Sequence, residues 1–151
     1  MSSINNLASA VVRPLIVSWM PGPASADEGP VVVSVTEYAA HSLRHLPGVA
    51  YNGMRMREGW YAMPGAVGLW LWSLPASGLS GSISVWTDTE ALQRFIGLPH
   101  HVDIMRRYGD RGDVRSTTWE ADTFDRAGTL ARAREWIGQQ SPRLVGGTVD
   151  N

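Results

Sequence analysis

Residues 66–87 read AVGLWLWSLPASGLSGSISVWT, and this stretch carries the pattern that decides the fold. Its two ends are apolar and predict two strands, and the Pro/Gly-containing residues between them are few enough for an antiparallel hairpin. Because side chains alternate across a strand, Leu69 points to one side while Trp70 and Trp72 point to the other. Both faces of this sheet are therefore apolar, as expected where helices cover one face and a barrel interior or a partner meets the other.

The rest of the chain predicts further strands and helices on both sides of this hairpin. In order, the predicted elements are a short strand at 13–20, a strand at 31–41, a helix at 46–63, the hairpin strands at 66–74 and 80–87, a helix at 89–108 broken at Gly97 and Pro99, a strand at 114–120 and a helix at 124–139. The core order β-α-β-β-α-β is that of the ferredoxin-like unit. We predict an α+β fold with one antiparallel sheet, helices on one face, an extra N-terminal strand and an extra C-terminal helix.

The composition is that of one globular domain. The chain has 151 residues, of which 44% are hydrophobic and 18% charged, and its net charge is −1. We expect a single domain at 1–140 and a flexible C-terminal tail at 141–151. The charge gives no footprint for nucleic acid or an anionic membrane, and no apolar run is long enough to span a bilayer. With no cysteine and no basic region at the start, we expect a cytoplasmic protein.

The sequence motifs of several enzyme classes are absent from this chain. The chain contains no G-x-G-x-x-G, no P-loop and no G-x-S-x-G, so it does not favour a nucleotide enzyme or the simplest hydrolase. His41 and His45 have the spacing of a metal pair if that segment is helical, but no carboxylate completes a triad nearby, and we expect no metal site. Arg44, Arg55 and Arg57 either lie in solvent or pair with a substrate carboxylate.

His101 is the strongest candidate for a catalytic residue. It follows the Pro99 break near a helix N-terminus, where the positive end of the helix dipole lowers the pKa of an imidazole. A neutral histidine in an apolar pocket can take a proton from a phenol or an enol, or hold a substrate oxygen. The alternative is a histidine that caps the helix or bonds a backbone carbonyl. His100 lies about 100° further round the helix and is expected in solvent or at an interface.

Aromatic and apolar residues are candidates for a pocket around His101. With Met105 and Tyr108 at i+4 and i+7, His101 shares a helix face, and we expect its ring to open onto the largest internal pocket within reach of Trp86 or Trp119. The candidate substrate-binding residues are Trp86, Trp119, Phe95, Met105, Tyr108, Trp70 and Trp72. Aromatic walls suit a flat ligand by stacking. For each tryptophan, core packing or a dimer contact is the alternative.

Short segments between Val31 and Trp119 together resemble one family. They are Val33–Thr36, Ser42–Pro47, Met63–Gly65, Ser84–Trp86, Ala91–Phe95, His101–Met105 and Thr118–Trp119. These segments resemble a bacterial branch of the antibiotic-biosynthesis-monooxygenase-like proteins of the dimeric α/β-barrel superfamily. The spacing from Trp86 to Met105 is also similar to that of the spheroidene-monooxygenase-like proteins.

This resemblance implies a homodimer of two ferredoxin-like protomers whose sheets close into a barrel, with a pocket between the sheet and the helices of each protomer. It places His101 at the family's histidine, and Trp86 and Trp119 at its tryptophan positions. The chemistry that it implies is diverse and includes cofactor-independent oxygenation of polyketide phenols, haem binding or degradation, isomerisation and cyclisation. The fold therefore does not fix the function.

We expect an enzyme of bacterial secondary metabolism that modifies a small molecule: a cofactor-independent monooxygenase acting on an aromatic or polyketide-like substrate. The alternatives are a cyclase or isomerase that uses the same apolar pocket, a haem-binding protein with His101 as axial ligand, and a non-catalytic ligand-binding protein. The expected partners are a small apolar or aromatic substrate and a second copy of the chain. No flavin and no tightly held metal are expected.

Overall fold

A computed structural model describes residues 13–146, with side chains as far as Gln139. The strands are β1 (Leu15–Ile16), β2 (Met20–Pro21), β3 (Val31–Ala40), β4 (Ala66–Leu74), β5 (Leu79–Trp86) and β6 (Gly112–Ala121). The helices are α1 (Leu46–Glu58), α2 (Thr89–Ile96), α3 (Pro99–Tyr108) and α4 (Arg126–Gly146), with short 3-10 turns at Leu43–His45, Trp60–Ala62 and Pro75–Ser77. No helix in this part of the chain is both long enough and apolar enough to cross a bilayer.

The long strand β3 lies at the centre of the sheet. It pairs with β5 on one side and β6 on the other, and β4 pairs with the far side of β5, all antiparallel. The two short strands β1 and β2 both pair with β4 at the edge. The long strands therefore lie in the spatial order β4-β5-β3-β6, which is the ferredoxin-like arrangement. The predicted α+β class, antiparallel pairing and element order are confirmed.

Local chemistry sets the ends of the helices that connect the strands. α1 ends at Gly59, earlier than the sequence predicts, and the Trp60–Ala62 turn follows it. The Asp88 side chain caps α2 by accepting a hydrogen bond of 2.8 Å from a backbone N–H of its first turn. Gly97 and Pro99 separate α2 from α3 because proline cannot continue the hydrogen-bonded ladder of the preceding helix.

Each face of the sheet carries an apolar core, because alternate residues of every strand point in opposite directions. We call the side that packs against α1, α2 and α3 the crossover face. Its buried core consists of Val32, Trp60, Ala66, Leu69, Trp86, Ala91 and Leu92. We call the opposite side the α4 face. Its core includes Val31, Val33, Val35, Val67, Trp70, Trp72, Leu79, Ile83, Val85, Ala133 and Ile137.

The position of α4 corrects one part of the predicted arrangement. The two crossover connections lie on one face as expected, but α4 packs on the other face, which the dimeric-barrel expectation left for a second protomer. Ala133 and Ile137 of α4 are fully buried there and cover apolar strand residues that water would otherwise reach. α4 also continues to Gly146, so the tail predicted from residue 141 begins inside a helix; residues 147–151 lie outside the described part of the chain.

The segment between β1 and β2 completes the α4 face. The Trp19 ring lies with its centroid 4.3 Å from that of Trp70 and 5.3 Å from that of Phe124. The Arg126 guanidinium stands over the same indole at 5.1 Å. Beneath the indole is Gly68 of β4, where any Cβ would overlap the ring. The glycine in this strand therefore marks the close approach of an aromatic side chain.

Replacing Gly68 with Ala should destabilise the fold, because the new methyl group and the rigid Trp19 indole cannot occupy the same space. Overpacking of this kind costs about 1–3 kcal/mol in the free energy of unfolding, which urea denaturation measures. Gly53→Ala is the matched control, since its added Cβ would lie 3.5 Å from Leu71, an ordinary contact. Equal loss of stability in the two variants would contradict the Trp19–Gly68 contact.

Candidate functional site

The break between α2 and α3 brings two rings together. An extended Leu98 turns the chain, so that Phe95 in the last turn of α2 faces His101 in the first turn of α3. Their ring centroids lie 4.9 Å apart in an edge-on arrangement. Phe95 also packs against Trp60 at 5.4 Å and against Trp86 at 5.1 Å. A continuous aromatic cluster therefore connects the sheet to His101, with Phe95 between Trp86 and the imidazole.

A pocket of about 140 Å³ lies between the end of α1 and the break between α2 and α3. It is lined by Arg55, Met56, Gly59, Met63, Phe95, Leu98, His100 and His101. Apart from the arginine and the two histidines, these residues are apolar. A cavity of about 150 Å³ holds benzene, whereas pockets for drug-sized ligands measure about 300–1,000 Å³. This pocket therefore accommodates one ring, and a larger ligand would extend beyond it through its open side.

The imidazole of His101 is the buried polar group of this pocket. Its Nδ1 is buried and has no hydrogen bond of ordinary geometry within the described residues. Burial lowers the pKa of His101 below its ordinary value of 6.5, a weak hydrogen bond between the imidazole and the backbone of Ile96 opposes this shift in part, and His100 adds to it. The ring is therefore neutral at neutral pH and able to accept a proton. Because an unpaired buried polar atom costs about 1–3 kcal/mol, Nδ1 is suited to a polar ligand atom.

Trp60 is a second buried group whose polar atom has no partner in this part of the chain. Its side chain is fully buried, and its Nε1 makes no hydrogen bond within the described residues. The neighbouring Trp86, by contrast, donates from Nε1 to Ser84 Oγ at 2.9 Å. Trp60 is not among the pocket residues predicted from the sequence, because the predicted helix at 46–63 includes it. Gly59 directly before it was the signal that the helix ends there.

The two other residues predicted on the His101 face of α3 lie away from the pocket. Met105 is 42% exposed. Tyr108 is buried at a separate polar contact, where Asn52 Nδ2 donates to its Oη at 3.3 Å and Tyr38 Oη donates to its backbone carbonyl at 2.9 Å. Tyr108 is seven residues after His101, and seven residues of α-helix span about 10 Å. Residues on the same helix face can therefore lie too far apart to line one small pocket.

Three of the predicted tryptophans are on the wrong side of the sheet for this pocket. Trp70, Trp72 and Trp119 all pack in the core of the α4 face, and the guanidinium of Arg132 lies 4.4 Å from the Trp119 ring centroid. The sheet itself separates them from His101. Strand alternation shows that Trp70 and Trp72 share a face, but it does not show which face the crossover helices cover.

A larger groove lies elsewhere. It measures about 620 Å³ and is formed at one end of the sheet by residues 30–32, 87–89 and 120–122. His101 does not line this groove. The described residues place the imidazole at the smaller and more apolar of these two sites.

The pocket beside His101 gives a haem little enclosure. An imidazole nitrogen suits an axial ligand, but the pocket of about 140 Å³ encloses about one ring, whereas the haem macrocycle contains four pyrrole rings. Among the described residues, no group of three His, Cys, Asp or Glu side chains could hold a metal ion. His41 instead lies at the surface, with Nε2 3.4 Å from a carboxylate oxygen of Asp113.

No protein-family model matches this chain, and no curated protein matches it. Similar solved structures do exist. A candidate monooxygenase from Lactobacillus acidophilus matches with a TM-score of 0.54 and 11% identity, over 76% of this chain and 56% of that longer one. A candidate antibiotic biosynthesis monooxygenase from Deinococcus radiodurans matches with a TM-score of 0.55 and 16% identity, over 62% of this chain and 95% of the other. A Mycobacterium tuberculosis protein gives a TM-score of 0.52 and 16% identity, over 65% and 98%.

These likenesses concern the fold. The structural neighbours are antibiotic-biosynthesis-monooxygenase-like proteins with a ferredoxin-like fold, at low sequence identity. This chain spans little more than half the length of the Lactobacillus acidophilus protein. Because one fold carries many activities, the activity has to be argued from the residues of the site.

His101 should make stability depend on pH. Its pKa is lowered in the folded chain, so the unfolded chain takes up a proton first as the pH falls. The free energy of unfolding should therefore decrease as the pH falls below about 6.5, until the pH passes the folded-state pKa. Urea unfolding at about pH 7.5 and about pH 5.5 should show a larger loss for the native protein than for His101→Gln. An imidazole NMR titration that gave His101 a pKa above 6.5 would contradict this prediction.

Proposed function

We propose that this protein is a cofactor-independent monooxygenase of bacterial secondary metabolism that acts on a single-ring phenol in the cytoplasm. The observation that carries the proposal is the imidazole of His101, whose buried Nδ1 makes no hydrogen bond of ordinary geometry within the described residues and which lines a pocket of about 140 Å³. A neutral imidazole in an apolar enclosure is suited to general-base catalysis. The fold shared with candidate monooxygenases supports the same reaction class.

The reaction needs no cofactor because the substrate itself supplies the electrons. His101 accepts the phenolic proton, and the phenolate gives electrons to O₂ as its para carbon forms a bond to oxygen. The imidazolium then returns the proton to the terminal peroxide oxygen. The resulting hydroperoxide loses water: the O–O bond breaks, the carbon-bound hydrogen leaves as a proton, and the carbon becomes a carbonyl. Overall, one phenol and one O₂ give one quinone and one water. The apolar walls keep bulk water away from the phenolate.

The size of the pocket narrows the substrate. Both an aromatic and a polyketide-like substrate are compatible with the sequence, but a pocket of about 140 Å³ favours a monocyclic ring. Phe95 offers the stacking surface, and Met56 and Met63 offer adaptable apolar walls. A cyclase or isomerase would use the same imidazole without oxygen, so oxygen consumption distinguishes the two classes.

His101→Ala should lower kcat/KM for phenol-dependent oxygen uptake by about 10²–10⁴-fold, the usual effect of removing a general base. The measurement is an oxygen electrode with a series of monocyclic phenols. His41→Ala is the matched control, because His41 is exposed and lies outside the pocket, so this variant should keep full activity. Equal activity of His101→Ala and the native protein would contradict the assignment of the base.

We also propose that the protein is a homodimer. In this dimer, α4 either stays packed on its own sheet or is exchanged with the α4 of the second subunit. α4 covers the sheet face through which two half-barrels would meet, so docked α4 and the barrel contact exclude each other. Sedimentation equilibrium of the native chain should give twice the chain mass of 16.5 kDa. A single species at the chain mass would rule the homodimer out without affecting the chemistry proposed for His101.

A further inference from the structure

The rim of the His101 pocket carries positive charge and no negative charge. Arg55 and His100 line it, and none of the lining residues is acidic. Within the residues whose side chains are described, the ion pair closer than 4.0 Å joins His41 and Asp113, so Arg55 has no carboxylate partner there. A guanidinium is suited to two parallel hydrogen bonds with one carboxylate. Arg55 is exposed and can be solvated by water, but its position at the mouth of an apolar pocket also suits an anionic group on a ligand.

The start of α3 provides an independent indication of the same kind. α3 is ten residues long, and its N-cap residue Leu98 gives no side-chain hydrogen bond to the helix. Both His100 and His101 lie in the first turn and line the pocket. The backbone N–H groups at an uncapped helix start carry a partial positive charge and favour anions. Arg55 on α1 and the beginning of α3 thus offer positive charge from two separate elements to one pocket.

The interior of the pocket has the opposite character. Met56, Met63 and Phe95 form apolar walls, and the volume of about 140 Å³ matches one six-membered ring. A ligand that satisfies both parts has an apolar ring at one end and an anionic group at the other. The apolar interior disfavours a charge that is not paired, so the anion has to stay at the rim beside Arg55.

We infer that the substrate of this site is a monocyclic aromatic acid, whose ring enters the pocket beside His101 and whose carboxylate is held by Arg55 and the first turn of α3. This inference rests on the proposed function, which takes the pocket beside His101 as the substrate-binding site. It adds a substrate class and a specificity-determining residue, Arg55. On the proposed reaction, a hydroxylated aromatic acid would leave the site as a carboxylated quinone.

The test compares benzoate with benzamide, which has the same shape and no charge. NMR titration of the His101 and Trp60 ring signals should show that benzoate binds the native protein about tenfold or more tightly than benzamide. Arg55→Gln should remove most of this preference and leave benzamide binding unchanged. Arg55→Lys should keep part of it, because the positive charge remains.

Arg44→Gln is the matched control, because it removes the same charge from an exposed arginine outside the pocket. It should leave both affinities unchanged. The inference is overturned if benzoate and benzamide bind equally, if neither binds, or if Arg44→Gln reduces benzoate binding as much as Arg55→Gln does. Because binding is measured without turnover, a benzoate preference that depends on Arg55 would stand even if no phenol supported oxygen uptake. If the protein oxidised neutral phenols and showed no preference for phenols that carry an acid group, the inference would be overturned and the proposed function would stand.

Discussion

Both faces of the sheet have to be shielded from water, since Val33 and Val35 of β3 point to one side and Val32 points to the other. A fully buried aliphatic side chain contributes about 1.5–3 kcal/mol to stability relative to an exposed one. Leaving either face open would expose several such side chains at once. The chain meets this constraint with two layers: the crossover helices on one face, and α4 with the segment around Trp19 on the other.

The site is a consequence of how the crossover face is covered. One continuous helix from residue 89 to 108 would close over the sheet without a break, but Gly97 and Pro99 divide it into α2 and α3. The divided ends leave a small pocket beside α1, and the turn encloses one imidazole next to Phe95. The buried Nδ1 of His101 makes no hydrogen bond of ordinary geometry within the described residues, so a polar ligand atom or a water that bonds it would stabilise the site.

The volume and the charge of the pocket indicate the kind of ligand that it suits. The volume and the apolar walls of the pocket suit a single aromatic ring. The larger groove at the end of the sheet has a different character, because Asp88, Glu120 and Asp122 line it. The pocket next to His101 is bordered by Arg55 instead. The two concave sites of the described chain thus differ in the sign of the charge they present.

The sequence by itself determined the four long strands, the order of the elements and the break at Pro99, because alternation and proline chemistry act over a few neighbouring residues. It also selected His101 and Phe95, which the structure brings into contact. Only the tertiary structure decided that α4 covers the face opposite the crossover helices, and that Trp70, Trp72 and Trp119 therefore lie across the sheet from His101. The alternation of side chains along a strand determines which of them share a face. Which helices pack on that face depends on long-range contacts. For the same reason, only the tertiary structure placed Trp60 against Phe95 and distinguished Arg55 from Arg44 and Arg57 as the arginine at the pocket.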